Sequence, residues 1–355
     1  MKTAKDKRFS RGLPYLLLFL FAGLLLLESA CLTHCLGKGF LRDIEGSGFT
    51  PVNEMFFLAR GDGSYTLAEA VFPKEYDGSM PLVAMGHGFT GNRNSGGARE
   101  LAERLARRGI ATIRMDFDPY TAAQKDSPQT HSYTLSSMRK DLLRGIDYMR
   151  GHHDIDTDRI GLYARSMGGR VAMTMANESS GGFDYQALAL VAPAGTRNAM
   201  IDYMGGQSAW NAMKEAAAAD GYILHQGLKL TPQWFAEFEA YDPCQYGSKF
   251  GDKPVLVIRN TLDYVVTPKT SLECAKAYKN SHVITVKTDN YHGYEMSYPD
   301  SALKEELMCA ITEHFAAALR LPLAPHAPLR EPPTAEDLLY DRYSPVQVLL
   351  DGFTV

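Results

Sequence analysis

Several large functional classes leave no trace in this sequence. No basic block follows the first dozen of its 355 residues and the net charge is −4, so nucleic acid is not an expected partner. None of its five cysteines has metal-ligand spacing, and no metal site is expected. Internal repeats are absent, which excludes propellers and solenoids. Tryptophan is scarce, with two residues, and both fall between positions 196 and 253. What remains is ordinary: 45% hydrophobic and 22% charged residues, enough for one large domain or two small ones.

The first thirty residues differ from the rest. Lys2, Lys5, Lys7, Arg8 and Arg11 precede the apolar run Leu13–Leu27 and the small pair Ser29-Ala30. That layout is a secretory signal peptide, short for a membrane span. Cys31 follows directly and resembles a bacterial lipidation site, although Glu28 stands where an aliphatic residue belongs. An uncleaved anchor is the third reading. Each implies export to the periplasm, the cell envelope or the medium, and membrane attachment through the N-terminus stays open. Cys35, Cys244, Cys274 and Cys309 are then candidates for disulfides, with isolated buried thiols as the alternative.

Residues 31–52 read as a linker and 53–320 as the main domain. Met55–Arg60 and Tyr65–Phe72 flank Gly61-Asp-Gly-Ser64 and predict a hairpin. Strands are expected at Leu82–Met85, Ile110–Met115, Ile160–Tyr163, Ala187–Val191, Pro254–Arg259 and His282–Lys287. Helices are expected at Ala98–Arg108, Ser136–Arg150, Ser271–Lys279 and Ser301–Arg320. This alternation predicts an α/β protein with a mostly parallel central sheet and helices on both faces. Residues 196–253 interrupt it with a dense set of aromatics, and their position suggests a lid over a site. The alternative is an insertion whose aromatics make their own small core. The proline-rich extension 321–355 has no pattern that indicates chemistry.

The chemistry centres on Arg159–Arg170. An apolar strand leads into Ala164-Arg-Ser-Met-Gly-Gly169 and then a helix-compatible run, the pattern of a nucleophile elbow around Ser166. Small flanking residues are needed there because strand and helix approach closely, and Ala164 stands in for the first glycine of G-x-S-x-G. Upstream, Met85-Gly-His-Gly-Phe-Thr-Gly91 follows a strand, where an oxyanion loop belongs. The backbone N–H groups of Phe89 and Met167 are the expected donors, and His87 is expected to hold the loop. Downstream, Asp263 exits a strand and is the expected acid, with Asp289 as its rival. His292, between the last strand and the last helix, is the expected base, with His282 as its rival.

The order Ser166, Asp263, His292 is that of the α/β-hydrolase fold. With the His-Gly-Phe-Thr-Gly loop, the Ser-Met-Gly-Gly elbow, Val265 two residues after the acid and the His292-Gly loop, residues 53–320 resemble bacterial cinnamoyl/feruloyl-type serine esterases and related acyl hydrolases. Ala164-Arg165 departs from the Gly-His of those esterases, and Arg114-Met-Asp-Phe-Asp118 lacks their following glycine-rich run. The resemblance implies ester cleavage through a Ser166 acyl-enzyme, a small-molecule ester substrate, and no metal or organic cofactor. A peptidase of the prolyl-oligopeptidase type, a thioesterase or acyltransferase, and a non-catalytic binding protein on the same fold are the alternatives. Haloalkane dehalogenases and epoxide hydrolases carry aspartate at the position of Ser166 and do not fit.

Overall fold

Runs in which every residue is apolar require cover on both faces, and the strands Met80–Gly86 and Ala187–Val191 have this character. The computed structural model describes residues 48–61, 63–117 and 133–320. The N-terminal segment read as a signal peptide or anchor, Cys31, Cys35 and the extension 321–355 lie outside the described residues. The chain begins with a hairpin of β1 (Pro51–Ala59) and β2 (Tyr65–Pro73), with Pro51 opposite Pro73. There follow β3 (Met80–Gly86), α1 (Ala98–Arg107), β4 (Ala111–Met115), α2 (Leu135–His152), β5 (Ile155–Arg165), α3 (Ser166–Glu178) and β6 (Ala187–Val191). After an inserted stretch come β9 (Val255–Asn260), α7 (Pro268–Lys276), β10 (Ser281–Val286) and α8 (Ala302–Ala318). The inserted stretch holds α4 (Ala199–Tyr203), α5 (Gln207–Asp220), the small hairpin β7 (Ile223–His225) and β8 (Leu228–Leu230), and α6 (Pro232–Ala240).

The eight-stranded sheet has the order β1-β2-β4-β3-β5-β6-β9-β10. Strand β2 runs antiparallel to both of its neighbours, and the pairs from β4 to β10 are parallel. Every residue of β3, β4 and β6 is buried, as a parallel sheet covered on both faces demands. One face packs on α1 and α8 through Leu101, Leu105, Met308 and Ile311. The other packs on α2 and α3 through Met138, Leu142, Val171 and Met175. Helix α2 starts with a capping box in which Thr134 and Ser137 exchange side-chain and backbone hydrogen bonds.

The insertion does not build a separate core. Trp210, Trp234, Phe235 and Phe238 are at most 1% exposed and join the core on the α2–α3 face. Buried Arg170, on α3, ties this segment down. Its guanidinium donates to the carbonyls of Thr196 (2.9 Å) and Phe238 (2.9 Å), and also to that of Tyr241. Burial lowers its pKa to about 10, so it stays charged at neutral pH. The structure also brings Cys244 and Cys274 together as thiols with their Sγ atoms 3.2 Å apart, whereas Cys309 lies apart on α8.

Replacing Arg170 by alanine strands buried carbonyls at both ends of the insertion, and such losses cost about 1–3 kcal/mol per unsatisfied group. The Arg170→Ala variant is therefore expected to lose roughly 2–4 kcal/mol in urea unfolding. A loss below about 0.5 kcal/mol, the range of an ordinary surface substitution, would contradict this role for Arg170.

Candidate active site

Strand β5 delivers Ser166 to the C-terminal edge of the sheet at the point where the chain turns into α3. Ser166 sits at φ 50°, a left-handed conformation that costs a non-glycine residue and recurs at functional turns. The Ser166 carbonyl accepts from the Ala194 amide (3.0 Å), which helps hold the turn. A glycine is required at 168, because a β-carbon there would lie 2.3 Å from the His87 carbonyl oxygen. Ala164 is tolerated for a visible reason. Its register partner on β3 is Gly86, which leaves space for the methyl group.

The loop after β3 lies against the serine, since a β-carbon on Gly88 would be 3.0 Å from that of Ser166. The Phe89 N–H has no acceptor among the described residues. Met167 is in the first turn of α3, where amides have no partner within the helix. Both expected oxyanion donors thus flank the serine with their N–H groups unused by the helix or the loop. His87, 5% exposed, holds the loop as anticipated. Its Nε2 accepts from the Phe117 N–H (2.9 Å), so Nδ1 carries the proton and donates to the Gly88 carbonyl (2.7 Å). Burial lowers its pKa to about 4.

Asp263 and His292 meet. His292 Nδ1 is 2.8 Å from Asp263 Oδ2, with the carboxylate fully buried. The other oxygen, Oδ1, accepts from the amides of Val265 (2.9 Å) and Val266 (3.0 Å). Asp289, the rival acid, is exposed in the histidine loop. His282, on β10, pairs in register with Leu256 of β9 and is not part of this cluster. Ser166 and His292 line one cavity of about 390 Å³, together with Gly88 and Phe89.

Three further residues hold the cluster, and none was assigned a role from the sequence, although Ala164-Arg165 stood out as a departure from the resembling esterases. Tyr294, fully buried, accepts from the Asn260 amide (2.9 Å) and donates to Asp263 Oδ2 (3.1 Å). Burial first, and then the Asp263 charge, push its phenol well above the usual range, so it remains a donor. Asn260, at the end of β9, donates through Nδ2 to the carbonyls of Thr288 (2.8 Å) and Tyr291 (2.7 Å), stapling the acid loop to the histidine loop. Arg165, just before the serine, donates from Nη2 to the carbonyl of His292 itself (2.7 Å). Its guanidinium occupies the space above Gly96, where a β-carbon would fall 1.6 Å from Nη1.

A mostly parallel sheet with this strand order, an elbow serine after β5, an acid after β9 and a histidine before the last helix leaves one assignment. The fold is that of the α/β-hydrolases. A family model described as serine aminopeptidase, S33, matches residues 79–223 of this chain, from β3 into the insertion. A solved structure of Est1E from Butyrivibrio proteoclasticus with ferulic acid bound is similar at 22% identity and a TM-score of 0.55, covering 75% of this chain and 99% of that one. The acetyl xylan esterase from Paenibacillus sp. R4 is similar at 18% identity and a TM-score of 0.51, covering 74% of this chain and 88% of its own. A protein named acyl transferase from Photobacterium leiognathi is 25% identical over 219 residues, or 61% of this chain and 68% of that protein.

The buried histidines make stability depend on pH. His87 and His314, whose pKa burial lowers to about 4 and about 3, stay neutral in the fold where the unfolded chain takes up protons below its ordinary value near 6.5. Unfolded molecules then bind more protons than folded ones, so stability falls as pH drops from 6.5 towards 4, by at most about 1.4 kcal/mol per pH unit for each group. Unfolding measured at pH 7, 5.5 and 4.5 is expected to show that decline, with a shallower slope in His87→Gln. An unchanged slope in that variant would contradict the neutral assignment of His87.

Proposed function

We propose that this protein is an exported serine hydrolase that cleaves carboxylic esters, and that Ser166, Asp263 and His292 act as its triad. The observation that carries the reading is the 2.8 Å contact between His292 Nδ1 and the buried Asp263, beside a serine held in left-handed backbone on the same cavity. With Nδ1 bonded to the carboxylate, the imidazole presents Nε2 as the basic atom. His292 takes the Ser166 proton as the hydroxyl attacks the ester carbonyl, and Asp263 stabilises the imidazolium. The N–H groups of Phe89 and Met167 receive the oxyanion, in a site where fixed dipoles need no reorganisation. The alcohol leaves with the proton from His292, and water activated by the same base releases the acid.

Two observations weigh between chemistries on this fold. An aminopeptidase must hold a protonated amine beside its nucleophile, yet the described cavity lining contains Arg93, Arg114 and Arg165 and no carboxylate. That lining disfavours a cationic substrate. Transfer of the acyl group to an acceptor other than water uses the same acyl-enzyme, and the similarity to a protein named acyl transferase supports it as the second reading. Residues 196–253 act as a lid in this proposal, supported by their reach to the oxyanion loop, where Tyr203 and Trp234 each lie 6.2 Å from the Phe89 ring. Export rests on the charged and apolar pattern of residues 1–30. Among the described residues no helix is long and apolar enough to cross a membrane.

Turnover of p-nitrophenyl butyrate by a chain starting near Thr50 is the test. Ser166→Ala is expected to lose at least about 10³-fold in kcat/KM and Asp263→Asn a comparable amount, with folding unchanged. Esterase activity retained in Ser166→Ala would remove the assignment.

A further inference from the structure

The cavity beside Ser166 has an unusual electrostatic character. Arg93, Arg114 and Arg165 all line it, and no acidic side chain does. Two of these charges are answered from behind. Arg114 pairs with Glu69 at 2.7 Å, and Arg93 with Asp116 at 2.7 Å and more distantly with Glu69 at 3.6 Å. Two arginines and two carboxylates thus cancel, and both acids stand outside the lining. Arg165 is different. It makes no ion pair among the described residues, and its hydrogen bonds run from Nη2 alone to the His292 and Gly293 carbonyls. Backbone carbonyls satisfy donors without neutralising charge, so Arg165 brings to the lining a guanidinium with no ion-paired carboxylate, whose Nε and Nη1 make no hydrogen bond among the described residues. The Asp263 carboxylate, behind His292, is already bonded to that histidine.

A second, independent feature lies on the same wall. Tyr163, two residues earlier on β5 and so on the same side of the sheet, also lines the cavity and is 1% exposed. Its hydroxyl is buried with no hydrogen-bond partner among the described residues. A buried hydroxyl left unpaired costs free energy, and its occurrence on the same wall as a guanidinium without an ion pair marks a place where a ligand supplies the acceptor. A carboxylate suits it. The planar fork of a guanidinium offers parallel donors that match two carboxylate oxygens, and a phenol adds a third donor.

We propose that this cavity is an anion subsite, and that the preferred substrates are esters carrying a carboxylate group within reach of Arg165 and Tyr163. The inference rests on the ester-hydrolase reading above and narrows it from esters in general to acidic ones. Arg165 then has two tasks, since Nη2 positions the histidine loop while Nε and Nη1 receive the substrate anion. Substrate charge would settle the guanidinium in place and, through it, the carbonyl of His292.

The test compares matched esters on the unaltered enzyme. Mono-p-nitrophenyl glutarate is set against p-nitrophenyl pentanoate, and 4-carboxyphenyl butyrate against phenyl butyrate, so that the charge lies on the acyl side in one pair and on the alcohol side in the other. The expected result is that at least one acidic ester is preferred over its neutral partner, by about tenfold in kcat/KM at low salt, and that the preference shrinks as salt is raised. Tyr163→Phe, which removes a hydroxyl without opening a void, is expected to lower that preference severalfold while neutral-ester turnover is kept. Glutarate itself is expected to inhibit neutral-ester hydrolysis competitively. Neutral esters hydrolysed with Ser166-dependent kinetics, but no preference for either acidic ester at any salt concentration, would overturn the subsite and leave the hydrolase reading intact. A preference that Tyr163→Phe leaves unchanged would overturn the part assigned to Tyr163.

Discussion

The left-handed backbone at Ser166 is the constraint to which the surrounding structure conforms. A serine at φ 50° is held there only if its neighbours leave no relaxed alternative. Gly168 allows α3 to touch the carbonyl of His87, and Gly88 brings the preceding loop against the serine side chain. His87, wedged between Gly88 and Phe117, fixes that loop in turn. Each contact stiffens another, so the loop that carries Phe89 and the first turn of α3 that carries Met167 are held beside the serine. Strain at one residue thereby sets the geometry of the whole candidate oxyanion site.

Basic side chains carry much of the remaining order by an economical route. Arg165 and Arg170, five residues apart across the elbow, both donate to backbone carbonyls. Arg170 holds both ends of the insertion against α3, and Arg165 holds the histidine loop against the end of β5. Asn260 does the equivalent between the acid and histidine loops. Asp263 and His292 therefore sit on loops whose relative positions are set by side chains reaching from rigid strands and helices.

The alternation of strands and helices was legible because its signals are local: fully apolar runs for the buried strands and spaced apolar residues for α1 and α2. Boundaries moved where capping or polar flanks intervened. Helix α7 starts at Pro268 because Thr267 caps it, and β5 reaches back to Ile155 through a polar stretch. The elements of the insertion escaped, since α5 is largely exposed alanine and polar residues and β7 and β8 span three residues each. The meeting of Asp263 with His292, beside the cavity that Ser166 lines, was legible from chain order and loop position. Arg165, Arg170 and Asn260 were not, because a backbone carbonyl acceptor is the same at every residue and leaves no partner in the sequence to find. Tyr294 escaped for a related reason: its link to Asp263 spans 31 positions and exists only once both loops are folded.

The central claim is that Ser166 is the activated nucleophile of this site. Its most direct measurement is reaction of the folded chain with an alkyl fluorophosphonate, followed by mass-spectrometric mapping of the adduct. The geometry predicts a single phosphonylated residue, Ser166, formed by the native protein and not by the unfolded chain. No adduct at Ser166, or an adduct formed equally well on the unfolded chain, would contradict it.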